Sequence, residues 1–140
     1  SAASDVYKRQ EMLGIENVIP LPHLGASTPE SEDNCAQMAV DQIKEYIENG
    51  NIINSVNLPN LSMAREPGTR RICVIHKNVP GAIADFTSVC GKAGINIENM
   101  QSKSRGDYAY TVLDVTGADI APAARELATL EANIRVRVID

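Results

Sequence analysis

The residues best suited to hold a small zwitterion crowd the stretch VIHKNVPGAIADF, residues 74–86. His76 is a donor for an anion, and Asn78 offers a donor and an acceptor on one neutral amide. Pro80 pushes Val79 out of the helical region, so a strand must turn there. Gly81 has no side chain, which lets a ligand approach the backbone, and a helix starting beside it presents free N–H groups to a carboxylate. A further neutral amide, Asn96, follows Gly94 at the mouth of the next strand. On pattern alone these residues read equally as an amino-acid sensor and as ordinary turn and helix-exit residues.

His23 is a second candidate, in the proline-flanked loop PLPHLGASTPE, residues 20–30. An imidazole there suits general acid–base work, but no acidic neighbour in the sequence is placed to orient it. More often such a histidine is structural or simply exposed. The glycine fingerprint G-x-G-x-x-G is absent, so the sequence carries no nucleotide-binding signature. Cys35, Cys73 and Cys90 are widely spaced, odd in number and without metal-ligand spacing. They are expected to be buried free thiols in a reducing compartment, with no metal.

These groups need a scaffold, and hydrophobic periodicity supplies one. The first ten residues carry no clear period and are read as a non-native or unstructured leader. After the His23 loop, either Ser27 with Glu30 or Thr28 with Pro29 starts a long helix. Cys35, Ala39, Ile43 and Ile47, with Met38 and Tyr46, predict one apolar stripe on it, and Asn49-Gly50 its stop. NIINSVNLPNL reads as extended, and residues 61–69 as a linker containing Pro67-Gly68.

From residue 70 the pattern is strand (71–77), helix (81–93), strand (95–104), a turn at Arg105-Gly106-Asp107, strand (108–117), helix (120–130) and strand (133–139). That order is the split βαβ, ferredoxin-like plan, an α+β fold. On the last strand Ile134, Val136 and Val138 are expected inward, with Arg135 and Arg137 outward. The alternation implies a sheet with one covered and one wet face, Asp114 on the wet one. Lys103 and Arg105 read as a solvated basic turn. In this plan the first helix runs away from the corner and Asn96 follows its far end, so a neighbouring subunit is the route by which Asn96 could meet His76.

At 44% hydrophobic residues an ordinary core is available, and with no Trp and one Phe it is aliphatic. The formal charge of −5 argues against nucleic acid as the main partner. No apolar run approaches the ~20 residues of a membrane span, and no secretory leader opens the chain, so a cytoplasmic protein is expected.

Two segments resemble known families. Residues 16–59, from ENVIPLPHLGASTPE to NIINSVNLP, are similar to the end of the catalytic region of the phosphoglycerate dehydrogenases, among the D-2-hydroxyacid dehydrogenases. The specific feature is Pro22-His23 followed by Gly25-Ala26-Ser27-Thr28. RICVIHKNVPGAIADFTSVCGKAGINIENMQSKSRGDYAYTVLDVTG resembles the ACT domains that end such enzymes and bind L-serine. The resemblance implies that residues 11–60 are a remnant of the catalytic region, 61–69 a linker and 70–140 an ACT regulatory domain. It implies that His23 is the catalytic proton carrier of a parent enzyme oxidising 3-phosphoglycerate with NAD. It places His76, Asn78, Gly81 and Asn96 at the serine site, shared across paired ACT domains in a homo-oligomer. The family's Arg and the Glu that orients its histidine are not found here, nor is its nucleotide-binding domain. The chain alone is therefore expected to be inactive and to take no cofactor. The other readings are a ligand-free assembly module, a sensor for another amino acid, and a small intact enzyme using His23.

Overall fold

The computed structural model describes residues 15–17, 19, 25–117 and 119–140, which form two compact units, 1–40 and 41–140. His23 lies outside the described residues. The helix α1, Pro29–Asn49, starts at a Thr28 cap: Thr28 Oγ1 accepts from the Ser31 amide at 3.2 Å. Of the two registers open in the sequence, the structure adopts the one with Pro29 as first helical residue.

In the first unit Cys35, Met38 and Ala39 are exposed. In the second, Ile43 and Ile47 are exposed too, and Gln42, Glu45, Tyr46 and Asn49 are the half-buried positions. The expected inward stripe thus faces outward. Tyr46 alone of that stripe packs on the core, beside Ile52 and Tyr110, and the other contacts of the helix end are polar: Glu45 binds the Asn49 and Asn51 amides, and Arg137 donates to the carbonyls of Tyr46 and Ile47. Cys35 is correspondingly an exposed thiol, whereas Cys73 and Cys90 are buried as expected.

The second unit continues as β1 Arg70–Lys77, α2 Ala82–Lys92, β2 Ile95–Arg105, β3 Tyr108–Gly117, α3 Ile120–Thr129 and β4 Asn133–Ile139. The sheet is antiparallel throughout, in the order β2-β3-β1-β4. This is the α+β plan expected, with β2 and β4 as edges. Helices α2 and α3 cover one face. Phe86, Val89 and Cys90 of α2 and Ile120, Ala123 and Leu127 of α3 pack on Ile72, Val74, Leu113 and Val115. Ile134, at the start of edge strand β4, is 54% exposed rather than inward: the register shifts between Ile75 and His76, which pair with Arg135 and Asn133, and the bulge leaves Ile134 without a partner on β1.

The opposite face is not wet. Residues 50–66 lie across it, pinned by an Ile52–Leu61 bridge, and Ile52, Leu61 and Met63 are buried against Cys73, Tyr110 and Val112. Asp114, expected in solvent, is fully buried with Arg71. Arg71 Nε and Nη2 bind the two Asp114 oxygens at 2.6 and 2.7 Å. Its remaining donors go to the carbonyls of Asn49, Met63 and Ala64. Asp114 holds the Arg71 pKa above its ordinary value against the opposing effect of burial. A buried guanidinium needs all its donors satisfied, and here Asp114, the end of α1 and the covering segment share them. Arg137 also turns inward rather than out, stacking on Tyr46 with 4.4 Å from its guanidinium carbon to the ring centre.

Candidate functional site

The β1–α2 corner has the local shape its residues dictate. β1 ends at Lys77, the chain turns at Pro80, and Gly81 sits at φ +89°, a left-handed conformation open to glycine. Gly81 is the N-cap and no side chain caps the helix; the Ala82 N–H turns to Val79 O at 3.5 Å, so anion-binding capacity rests with the next N–H groups of the first turn. A Cβ at Gly81 would meet nothing within 4 Å, so the backbone here is open to approach.

Asn78 is exposed, and the β2–β3 turn holds it. Its backbone N–H donates to Asp107 O at 2.8 Å and its side-chain amide to Gly106 O at 3.2 Å. Its side-chain oxygen remains an acceptor. The turn is tied onward by Arg105, whose guanidinium donates to Ser55 O at 3.0 Å.

His76 is buried at 3% exposure. It lies on the helix-covered face, edge-on to Phe86 with ring centres 4.9 Å apart. Nδ1 is 2.8 Å from the Lys77 carbonyl and Nε2 is 2.9 Å from Thr111 Oγ1, which is 2.7 Å from Ser102 Oγ. Burial pushes the His76 pKa below its ordinary value, with the Lys77 carbonyl opposing. Sequence reasoning missed Thr111 and Ser102. The signal was there: Thr111 interrupts the apolar strand YAYTVLDV and pairs with Val74, on the same face as His76.

Asn96 is exposed at the start of β2, donating to Glu98 Oε1 at 2.8 Å. Thr116 donates to the same oxygen, and the two bonds hold the Glu98 pKa below its ordinary value. Asn96 pairs with Thr116, whereas His76 pairs with Ala109, seven residues along β3. At ~3.3 Å per residue that is about 23 Å. Asn96 also shares the face of Thr116 and Asp114, opposite His76. Within one chain the structure brings together His76, Asn78 and Gly81, and leaves Asn96 apart.

Two surface depressions lie away from this corner. One of about 300 Å³ is lined by Gly68, Arg70, Val115, Thr116, Gly117, Asp119 and Ile120. The other, also about 300 Å³, involves Ile52, Ile53, Asn60, Leu61, Ser62 and Lys103. Neither gathers buried titratable groups. Among the described residues, no cluster of three His, Cys, Asp or Glu is placed for a metal, and no helix is long and apolar enough to cross a membrane.

The ACT domain family model matches residues 71–132. The D-3-phosphoglycerate dehydrogenase of Haemophilus influenzae is 32% identical over 124 residues, covering 89% of this chain and 30% of that protein. D-3-phosphoglycerate dehydrogenase 1 of Saccharomyces cerevisiae is 29% identical over 136 residues, covering 92% of this chain and 29% of its own length. The chain thus spans about 30% of the length of these curated relatives. A solved ACT domain, from the GTP pyrophosphokinase of Chlorobium tepidum, superposes with a TM-score of 0.46 at 14% identity, over 51% of this chain and 96% of that one. Residues 71–132 are an ACT domain, joined in one chain to sequence that matches the D-3-phosphoglycerate dehydrogenase family.

Proposed function

We propose that this chain is the regulatory, C-terminal part of a phosphoglycerate dehydrogenase and that its β1–α2 corner binds L-serine. The parent oxidises 3-phosphoglycerate with NAD, His23 acting in that parent only. Residues 11–60 belong to its catalytic region, 61–69 link, and 70–140 regulate. Serine's carboxylate meets the helix start after Gly81, beside His76. Its ammonium and hydroxyl meet Asn78 and Asn96 of a second copy.

The observation that carries this reading is the exposed Asn78 amide beside an uncapped helix start, held to the turn that ends edge strand β2. β2 presents unpaired backbone groups, and such an edge invites a second strand. If two copies pair antiparallel about a two-fold axis near Met100, Asn96 of one comes level with Ser104 of the other. Ser104 lies beside the Arg105-Gly106 turn that Asn78 touches. Asn96 becomes available to a shared site once Glu98 releases it.

Calorimetric titration of the chain with L-serine tests the reading. Saturable binding is expected, lost in most part in Asn78→Ala and in Asn96→Ala. A second reading, a paired ACT module without ligand, draws on the internal satisfaction of both His76 nitrogens. Absence of heat with any amino acid, together with dimerisation, would select it.

A further inference from the structure

The hydrogen-bond chain behind the corner has a fixed direction. The Lys77 carbonyl can only accept, so the proton at that end must sit on His76 Nδ1. In the neutral imidazole Nε2 is then an acceptor, and it takes the Thr111 hydroxyl proton at 2.9 Å. Thr111 has one hydroxyl proton and has spent it. The 2.7 Å contact with Ser102 is therefore made by Ser102 donating to Thr111 Oγ1. Ser102 in turn has no proton left, and its remaining lone-pair capacity faces outward. Burial of His76 favours the neutral ring on which this direction depends.

The place of Ser102 fits a ligand group. It is exposed, on the edge strand β2, and on the helix-covered face that the corner opens toward. It lies three residues before the turn that holds Asn78. The nearby cations belong to the other face: Arg105 reaches Ser55 of the covering segment, and Lys103 lines the depression with Ile52 and Leu61. An outward hydroxyl that can only accept, on a strand whose own cations Lys103 and Arg105 lie on the other face, suits an ammonium group.

We infer that Ser102 is a further acceptor for the ammonium group of the bound amino acid, beside the Asn amides, held in that role by His76 through Thr111. This rests on the reading of the corner as an amino-acid site. His76 and Thr111 are positioning residues: they set which way the Ser102 proton points and need not touch the ligand. The buried histidine is thereby accounted for without having to leave its partners.

The test is titration of the whole chain with L-serine, alongside the Asn78→Ala control. A hydrogen bond to a charged group is worth a roughly 10- to 150-fold change in affinity, and Ser102→Ala is expected to lose serine affinity in that range. Thr111→Val keeps the shape but frees the Ser102 proton to turn outward, and should weaken serine binding. Thr111→Ser restores the chain and should recover it. Imidazole ¹⁵N shifts of the ligand-free protein should show His76 protonated at Nδ1, as the Lys77 carbonyl requires, while the recovery in Thr111→Ser is the readout that a merely space-filling Thr111 would not give. Parent-like binding by Ser102→Ala, with loss in Asn78→Ala, overturns this inference and leaves the corner site standing. An Nε2-protonated His76 overturns the direction of the chain. No binding of any amino acid by the parent protein overturns the site itself and this inference with it.

Discussion

Arg71 has no water to fall back on. Every donor it carries ends on a protein oxygen, and removal of either member of the pair strands the other in the interior. Arg71→Met is expected to destabilise the second unit by about 3–5 kcal/mol, the usual consequence of orphaning a buried charge. Arg71→Met with Asp114→Leu should recover most of that loss in urea unfolding, since the penalty belongs to the unpaired carboxylate. His76 makes a weaker, pH-dependent contribution. Its folded pKa is held below the ordinary 6.5 by burial, so the unfolded chain takes up the proton first. Stability from this source is whole above about pH 6.5 and is lost as pH falls from there toward the lower folded value. The urea midpoint of the parent should drop more between pH 7.5 and 5 than that of His76→Gln. Equal drops would show that His76 is not the group responsible.

Among the elements, the turn from α1 into the covering segment is the least forgiving. Gly50 closes the helix at φ +71°, with its amide on Tyr46 O, and its carbonyl accepts from the Tyr110 hydroxyl at 2.6 Å. A Cβ there would stand 2.5 Å from Cys73 Sγ. Gly50→Ala combines a left-handed backbone with overpacking, together about 2–5 kcal/mol. Adding Cys73→Ala should return the overpacking part only; full recovery would mean that the backbone conformation carries no strain. The four strands and two helices of the sheet domain were legible because period-2 and period-3.6 patterns speak to local burial. The second face was not, because Arg71 and Asp114 each look like a wet-face charge until paired with a residue 43 positions away. Likewise the outward Ile43 and Ile47 follow the helical period, but a period does not say which side is covered. At the candidate site, residue types marked the corner, while the Thr111–Ser102 connection depends on cross-strand register and only the fold reveals it.

For the whole molecule, one open edge dominates. β2 is 11 residues long, mostly exposed, and unpaired on its outer side among the described residues. Sedimentation at micromolar concentration with L-serine is expected to show a dimer, and a monomer at every concentration would sink the shared-site reading. Substitution of Met100 by proline should weaken pairing, because a proline near the proposed two-fold axis blocks the approaching strand. The covering segment gives this unit one more property. Ile52 and Leu61 exchange two backbone hydrogen bonds, at 2.8 and 3.0 Å, and the nearby carbonyls of Met63 and Ala64 solvate the Arg71 guanidinium. A stretch with no helix and a single bridge would ordinarily open by itself many times before the sheet does. Here local opening exposes a charged group to a half-dismantled interior, so the segment and the sheet should come apart in one step. Native-state deuterium uptake should therefore find the Ile52 and Leu61 amides as slow as those in the middle of β1, and responding to denaturant with the same slope.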